Sequence, residues 1–529
     1  MSTLDHTGRK ADQRPTRHGL LRMAGLTALL LVFVVIGGCA ALPAGVQRPA
    51  STSLVDGHSS LARAATAAMP ADAAADQSGL RLIPDGDQAL ASRIELIRRA
   101  ERSLDVQTYQ LASDGTGALF LRELRNAAAR GVRVRLLVDD LHATSQDTLF
   151  AALAAHRNVE VRMFNPLPVR DASFGTRIAL SLHEFSRVNR RMHNKLFIAD
   201  GAFAIAGGRN IADEYYMRST HANFVDMDVL AAGAAVPELA AVFDNYWNSE
   251  QAYPIAALTQ AVDAAEFDML NAAPAAEPAY AAQDRFGRDA IAAQLQRGTL
   301  QLRAARVQVL ADQPSKAAGV ATRTTRAAAA EAFAAAQWEL MIVSPYFVPG
   351  ENGMAMLRQA QERGAAISVT TNSLGATDEP LVHAGYSKYR MPMLKMGVKL
   401  QELGASLSQK TSELGDFRSS SGRLHAKVAV IDGRRLFIGS MNMDGRSDRH
   451  NTELGLMIDS PELAAEVAEL FRAGAQGATY RLQLTAGERI EWLANEGGRD
   501  VTHTAEPGRR PGLATKLTLL SALISEDLL

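Results

Sequence analysis

Two stretches of this chain carry the same succession of apolar and polar positions. The first opens with apolar residues at helical spacing in "ASRIELIRRAERS" and passes to a strand pattern in "LDVQTYQL". It returns to a helix in "LFLRELRNAAARG" and ends on the strand "VRVRLLVDD". The second runs "AAAAEAFAAAQ", "WELMIVSPYFV", "MAMLRQAQERG" and "AAISVTTNS" in the same order. Strands alternating with helices predict an α/β fold, a largely parallel sheet with helices on its faces.

Each block then reaches a shared phrase, "RMHNKLFIADG" from Arg191 to Gly201 and "RLHAKVAVIDG" from Arg423 to Gly433, with His193 and His425 separated by 232 residues. Asp-Gly interrupts the apolar run in both, which predicts a hairpin. His193 and Lys195 are two apart on a strand, as are His425 and Lys427, so each pair shares a face. The returning strand brings back Asn210 or Asn442, each 17 residues beyond its His. Asp200 and Asp432 complete the repeated pattern and fall where Asx side chains stabilise turns. In a chain with only 12 His, this recurrence marks an internal repeat, and the two copies are expected to meet in space and build one site.

The ends read differently. Arg9, Lys10, Arg14, Arg17 and Arg22 precede 16 uncharged residues, Met23 to Gly38, which suits a signal segment (1–38) better than a membrane span of roughly 20 residues. Cys39, the only cysteine, lies in "IGGCA", which resembles the lipobox of bacterial lipoproteins, so an exported, lipid-anchored envelope protein is expected, its membrane left open. A lone cysteine also excludes an intrachain disulfide. Residues 39–79 read as an Ala-rich tether. The first repeat takes 80–255, a helical connection 256–305 and the second repeat 306–482. The tail, 483–529, has a short amphipathic helix carrying Leu513, Leu517, Leu520 and Ile524 on one face, expected to dock on the fold. With 56 basic and 57 acidic residues there is no global pull towards nucleic acid, and no nucleic-acid partner is expected.

Two imidazoles, two ammonium groups and amide or hydroxyl donors, without a Cys cluster or carboxylate cage, suit a substrate with negative oxygens around an electrophilic centre. A phosphodiester fits, with Lys195, Lys427, Asn210, Asn442 and Ser440 on the nonbridging oxygens. One His would attack phosphorus while the other protonates the leaving alcohol and deprotonates the incoming one. No pattern in the chain points to a metal or cofactor. An attacking imidazole needs an acceptor on its other nitrogen. Glu453 in "NTELG" is the candidate for one His, and Asp226 in "FVDMDVLAAG" is the candidate in the first half, with Asp228 in reserve. Asp139 and Asp140 read as a satisfied strand-end pair rather than metal ligands. The run "RVNRR" is balanced between a solvated face and a phosphate contact. His156, His221, His383 and His450 have no repeated counterpart and receive no role.

"HNKLFIAD" and "HAKVAVID" match the H-x-K-x-x-x-x-D motif of the phospholipase D superfamily, and "GSMN" followed by "NTELG" matches its continuation. With "RGVRVRLLVDD", "GGRNIADEYY", "SPYFVP" and "VHAGYSKYR", the likeness covers most of Leu80 to Leu482 and resembles the cardiolipin synthase branch, its C-type bacterial members above all. The resemblance implies two pseudo-twofold-related lobes, each a mixed, largely parallel sheet flanked by helices, with one metal-free active site between them. It implies phosphatidyl transfer through phosphohistidine, with His193 as nucleophile and His425 as acid and base. The expected activity is a membrane-associated phosphatidyltransferase making cardiolipin from phosphatidylglycerol and a second phospholipid. A hydrolytic phospholipase D is the close rival; a nuclease of the superfamily and a noncatalytic lipid-binding lipoprotein stand further off. One position departs from symmetry: Ser440, 15 residues after its His, has Gly208 as counterpart.

Overall fold

The computed structural model describes residues 41–509 and 526–528, apart from 56, 171, 275, 410–413, 416 and 418. Cys39, the apolar run before it and the stripe from Leu513 to Ile524 lie outside the described residues.

The first lobe contains β1 (Ser78–Ile83), β2 (Ser103–Thr108), β3 (Arg133–Asp139), β4 (Val159–Phe164), β5 (Leu196–Ala199), β6 (Phe203–Gly207), β7 (Ala222–Val225), β8 (Asp228–Gly233) and β9 (Ala252–Pro254). The second contains β10 (Arg303–Ala311), β11 (Glu339–Val343), β12 (Ala366–Asn372), β13 (Lys399–Leu403), β14 (Ser421–Leu424), β15 (Val428–Ile431), β16 (Arg435–Gly439), β17 (Leu454–Asp459), β18 (Thr479–Leu484), β19 (Ile490–Glu496) and β20 (Arg499–His503). In space the first lobe runs β9-β4-β3-β2-β5-β6-β8-β1 and the second β18-β13-β12-β11-β15-β16-β17-β10. The orders correspond strand for strand, so the repeat read in the sequence is a repeat of topology. Antiparallel pairing of β1 with β10 fuses both into one continuous sheet.

Only β2-β3-β4 and β11-β12-β13 pair in parallel within that sheet; every other neighbour is antiparallel. The expectation of a largely parallel sheet therefore holds for the helix-crossover blocks alone. Hairpins account for the rest: the Asp-Gly turns place Asp200 and Gly201 at φ 53° and 60°, Asp432 and Gly433 at 54° and 61°, the left-handed pair that a tight hairpin needs. Helices Gly86–Arg99 and Gly115–Ala129 in the first lobe answer to Thr325–Ala334 and Gly350–Glu362 in the second. Each lobe has its own outer core, and a third core joins them, drawing Leu80, Phe243 and Trp247 together with Leu456, Val467 and Phe471. Sheets covered on both faces explain why β5 and β15 read as unbroken apolar runs.

Two segments differ from the sequence reading. The part of the Ala-rich tether that is described is bound to the first lobe rather than free. Arg135, fully buried, pairs with Asp105 at 2.7 Å and Asp244 at 2.8 Å, and its remaining N–H groups donate to Ser51 and Ser53. A buried guanidinium must satisfy all its donors, and these serines do so. Helix Ser60–Ala68 follows, capped by Ser59 and burying Leu61. The tail, in turn, adds β19 and β20 to the sheet beside β18.

Candidate active site between the lobes

The strand segments that carry the motif cross between lobes just before each His. Met192 bridges Thr452, and His193 N–H donates to the Thr452 carbonyl at 2.9 Å. In the matching place β14 runs parallel to β7, and His425 N–H donates to the Val225 carbonyl at 2.7 Å. Each His is thus laid beside the residue preceding a carboxylate of the opposite lobe. His193 Nδ1 meets Glu453 Oε2 at 3.0 Å, and His425 Nδ1 meets Asp226 Oδ2 at 2.6 Å. The Nε2 of each ring makes no hydrogen bond among the described residues. Asp226 serves the second motif rather than the first. Asp228, the reserve, pairs with Arg93 and Arg209 at 2.9 and 3.2 Å and takes no part in holding either ring.

Lys195 and Lys427 lie beside their own His, each Nζ donating to the His carbonyl, at 2.6 and 2.5 Å. Lys195 also sits 5.2 Å over the ring of Tyr109, whose edge meets His193 at 5.0 Å. Asn210 Nδ2 donates to the Tyr215 hydroxyl at 2.8 Å, and Tyr215 packs edge-on against His425. Asn210 Oδ1 and Asn442 Oδ1 are buried without a partner. The structure thus gathers both His, both Lys, both Asn and the two carboxylates.

Ser440 is placed otherwise than expected, and Asp200 and Asp432, though part of the site motif, take the turn role that their position suggested. Ser440 donates to Glu453 and accepts from Leu454 N–H at 3.0 Å, so its hydroxyl fixes the carboxylate instead of facing a substrate oxygen. Asp200 accepts from the N–H groups of Glu101, Arg102 and Ser103, and Asp432 from those of Gln337, Trp338 and Glu339. These carboxylates pin each hairpin to the start of β2 or β11 and are saturated by backbone. The departure at Gly208 also has a cause: a Cβ there would lie 2.1 Å from Asp226 Oδ1.

Burial sets the electrostatics. His193 is held well below its ordinary value by burial, with Lys195, Lys427, His425 and Arg446 adding to it. Burial and then Lys427 depress His425 to about 4, against the pull of Asp226. Burial takes Lys195 well below the usual lysine range and Lys427 to about 8. Burial alone would raise Asp226, but the charge and hydrogen bond of His425, with Lys427 and Arg209, bring it to about 2. Burial raises Glu453 to about 7, only partly opposed by Lys195 and the Ser440 hydroxyl.

Sequence reading missed a supporting set. Ser447 donates to Glu453 Oε1 at 2.9 Å, and the buried pair Asp312 and Lys316, 2.6 Å apart, holds Glu453 N–H and the Ser447 carbonyl. Tyr109 carries His142, whose Nε2 is 3.0 Å from the phenol. "DQPSK" offered no periodic signal for Asp312 and Lys316; Tyr109 stood in a recognised strand but without a repeated chemical pattern. Asp139 and Asp140 are satisfied locally, Asp139 by Met192 N–H at 2.8 Å and Asp140 by Leu167 N–H, Arg170 and Arg177. In "RVNRR", Arg191 is buried against Asp139 and Arg187 is tied to Glu184 and Asn165. Among the described residues no group of three or more His, Cys, Asp or Glu could hold a metal ion. A cavity of about 780 Å³ between Asp85, Arg218, Ala281 and Ser420 includes neither imidazole.

Comparison with known proteins agrees with this geometry. The family model described as "Cardiolipin synthase, PLD-like domain" matches residues 93–247 and 329–474, one match per lobe. The chain is 36% identical over 463 residues to cardiolipin synthase C of Escherichia coli (strain K12), covering 86% of this chain and 96% of that protein. It is 27% identical over 397 residues to a cardiolipin synthase A of Pseudomonas fluorescens, covering 74% of this chain and 68% of the relative. Among solved structures, a phosphatidylserine synthase of Haemophilus influenzae Rd KW20 superposes with a TM-score of 0.52 at 15% identity, over 76% of this chain and 87% of that one, a likeness of fold. The chain belongs to the PLD-like cardiolipin synthase family and is an enzyme of the phosphatidyltransferase class.

Proposed function

We propose that this enzyme makes cardiolipin from phosphatidylglycerol and a second phospholipid at a bacterial membrane, through a phosphohistidine on His193. The observation that carries the reading is the crossed pairing, each Nδ1 held by a carboxylate of the other lobe with Nε2 left for the substrate. With Nδ1–H donated to Glu453, the neutral His193 ring has a bare Nε2 that attacks phosphorus. The bond to the leaving alcohol breaks as that oxygen takes a proton from His425 Nε2. An anionic phosphodiester beside His425 raises its affinity for that proton, and ionised Asp226 stabilises the imidazolium. The incoming alcohol then gives its proton to His425 while its oxygen attacks phosphorus, and His193 departs unchanged. Lys195 and Lys427 neutralise the nonbridging oxygens. Rotating the Asn210 amide by 180° lets the Tyr215 phenol donate to Oδ1 and frees Nδ2 for one of those oxygens. Anchoring in a bacterial envelope through a lipidated Cys39 belongs to the same reading and predicts that Cys39→Ser loses incorporated fatty acid.

Expression in cells lacking cardiolipin, followed by lipid mass spectrometry, tests the activity. Cardiolipin restored by the parent chain but not by His193→Ala is the expected result. Phosphatidic acid accumulating without cardiolipin would show water as the acceptor and reject the synthase.

A further inference from the structure

Residues 173–190 form a segment whose polarity is reversed. Its Arg177 points inward, 1% exposed and paired with Asp140 at 2.6 Å, while Phe174, Leu182 and Phe185 stand 47%, 57% and 47% exposed. A water-facing surface segment buries its apolar stripe and shows its charges; here a charge is buried while three large apolar side chains face outward. Exposed aromatic and aliphatic groups clustered in this way mark an interaction surface.

The segment is the rim of the catalytic cleft. Phe174 stacks on His142 with ring planes 7° apart, and His142 meets Tyr109, the phenol whose edge touches His193. At its other end Asn189 Oδ1 accepts from Arg446 of the second lobe at 2.8 Å. The Arg190 guanidinium packs against Gly319, next to Val320, which is 54% exposed. The apolar rim therefore spans both lobes. Of the five Arg between residues 170 and 191, Arg170, Arg177, Arg187 and Arg191 are matched by carboxylates, which leaves Arg190 as the rim's unmatched cation. Arg190 forms no ion pair among the described residues, and its Nε is buried without a partner.

We propose that this rim seats on the surface of a bilayer containing anionic phospholipid, with Leu182 and Phe185 entering the acyl boundary and Arg190 receiving a lipid phosphate. The occupant follows from the pairing of an outward apolar face with an unmatched cation, the chemistry of the headgroup boundary. A lipid leaving that boundary then enters the cleft alongside Tyr109 without crossing water. The proposal rests on the phospholipid reading above and specifies where such a substrate enters.

The test uses the full chain with vesicles mixing phosphatidylglycerol and phosphatidylcholine. In Leu182→Trp, the fluorescence added over the parent chain is expected to shift to the blue and to be quenched by brominated phosphatidylcholine. In Leu182→Ser/Phe185→Ser, the ratio of activity on vesicles to activity on dispersed short-chain phosphatidylglycerol is expected to fall about tenfold. Absence of quenching, or an unchanged ratio, overturns the proposal. An unquenched indole together with loss of a dimer in the double variant would assign the face to a second copy of the chain, and also overturns it. A parent chain inactive on every phospholipid, with the indole still quenched, would sink the phospholipid reading while leaving the docking surface standing.

Discussion

The two halves of the cleft present the same His and Lys ahead of the same hairpin, yet they hold their imidazoles with carboxylates of very different acidity. Asp226 lies at about 2 and stays ionised; Glu453 lies at about 7 and titrates in the working range. The reason is in the neighbours. Both are buried, but at Asp226 the charge and hydrogen bond of His425 with Lys427 and Arg209 outweigh burial, whereas at Glu453 burial outweighs Lys195, Lys316 and the hydroxyls of Ser440 and Ser447. A fixed anion suits the ring that must carry positive charge. In the proposed roles, the ring that attacks is held by an acceptor that protonation near 7 weakens. A repeated backbone can thus support unlike chemistry in its halves when the residues behind the motif differ.

The comparison breaks most sharply at the rings. His193→Ala and His425→Ala are each expected to lower kcat by about 10⁴-fold or more. They should differ with labelled lipid: a phosphorylated imidazole forms in the His425→Ala chain and not in the His193→Ala chain. Label recovered on His425 instead would reverse the assignment.

Next come the carboxylates. Asp226→Asn is expected to cost on the order of 10²- to 10⁴-fold in kcat/KM at every pH, as losing a buried His-orienting anion does. Glu453→Gln should cost less at pH 6 than at pH 8. The sign follows from the raised value: below about 7 Glu453 is already protonated and the change removes little, while above it the change removes a charge. The parent profile should therefore fall on the acid side near 7, where His193 loses its acceptor. On the alkaline side it should fall above about 8, where Lys427 discharges. A pH profile of Glu453→Gln that keeps the acid limb would detach that limb from Glu453.

Making the lobes alike sharpens the contrast further. Gly208→Ser drives a side chain into Asp226 Oδ1 and is expected to cost about 1–3 kcal/mol of stability in thermal or denaturant unfolding, with a loss of activity of about tenfold. The reverse change is gentler. Because the Ser440 hydroxyl lowers the Glu453 pKa, Ser440→Ala should move the acid limb up by about half a pH unit, with a small change at the plateau.

Much of this architecture was legible in the chain. The alternation of helix and strand patterns gave both crossover blocks, and Asp-Gly fixed both hairpins because few residues tolerate two successive positive φ values. His193 and Lys195, and His425 and Lys427, were expected on one strand; they lie just ahead of β5 and β15, where each Nζ donates to the carbonyl of its own His. Three errors have physical causes. The sheet was read as largely parallel because crossovers are visible in a sequence, while which strands lie beside a hairpin is not. The tether was read as free because its composition is poor in large apolar groups, although Ser51 and Ser53 were needed as acceptors for a buried Arg135. Ser440 was taken for a substrate contact because a hydroxyl near a motif carries no label for the direction it faces.

By itself, then, the sequence determined what is local or repeated: the elements, the turns, the duplicated His and Lys and the family to which they belong. Tertiary structure decided which carboxylate meets which ring. Asp226 is 199 residues from His425 and Glu453 is 260 from His193, and periodicity within one strand cannot say which distant strand will lie beside it. That choice was made by β7 lying against β14 and by Met192 meeting Thr452, contacts that exist only when the shared core brings the lobes together. The charge state of each carboxylate then followed from burial, which no residue carries in its own identity.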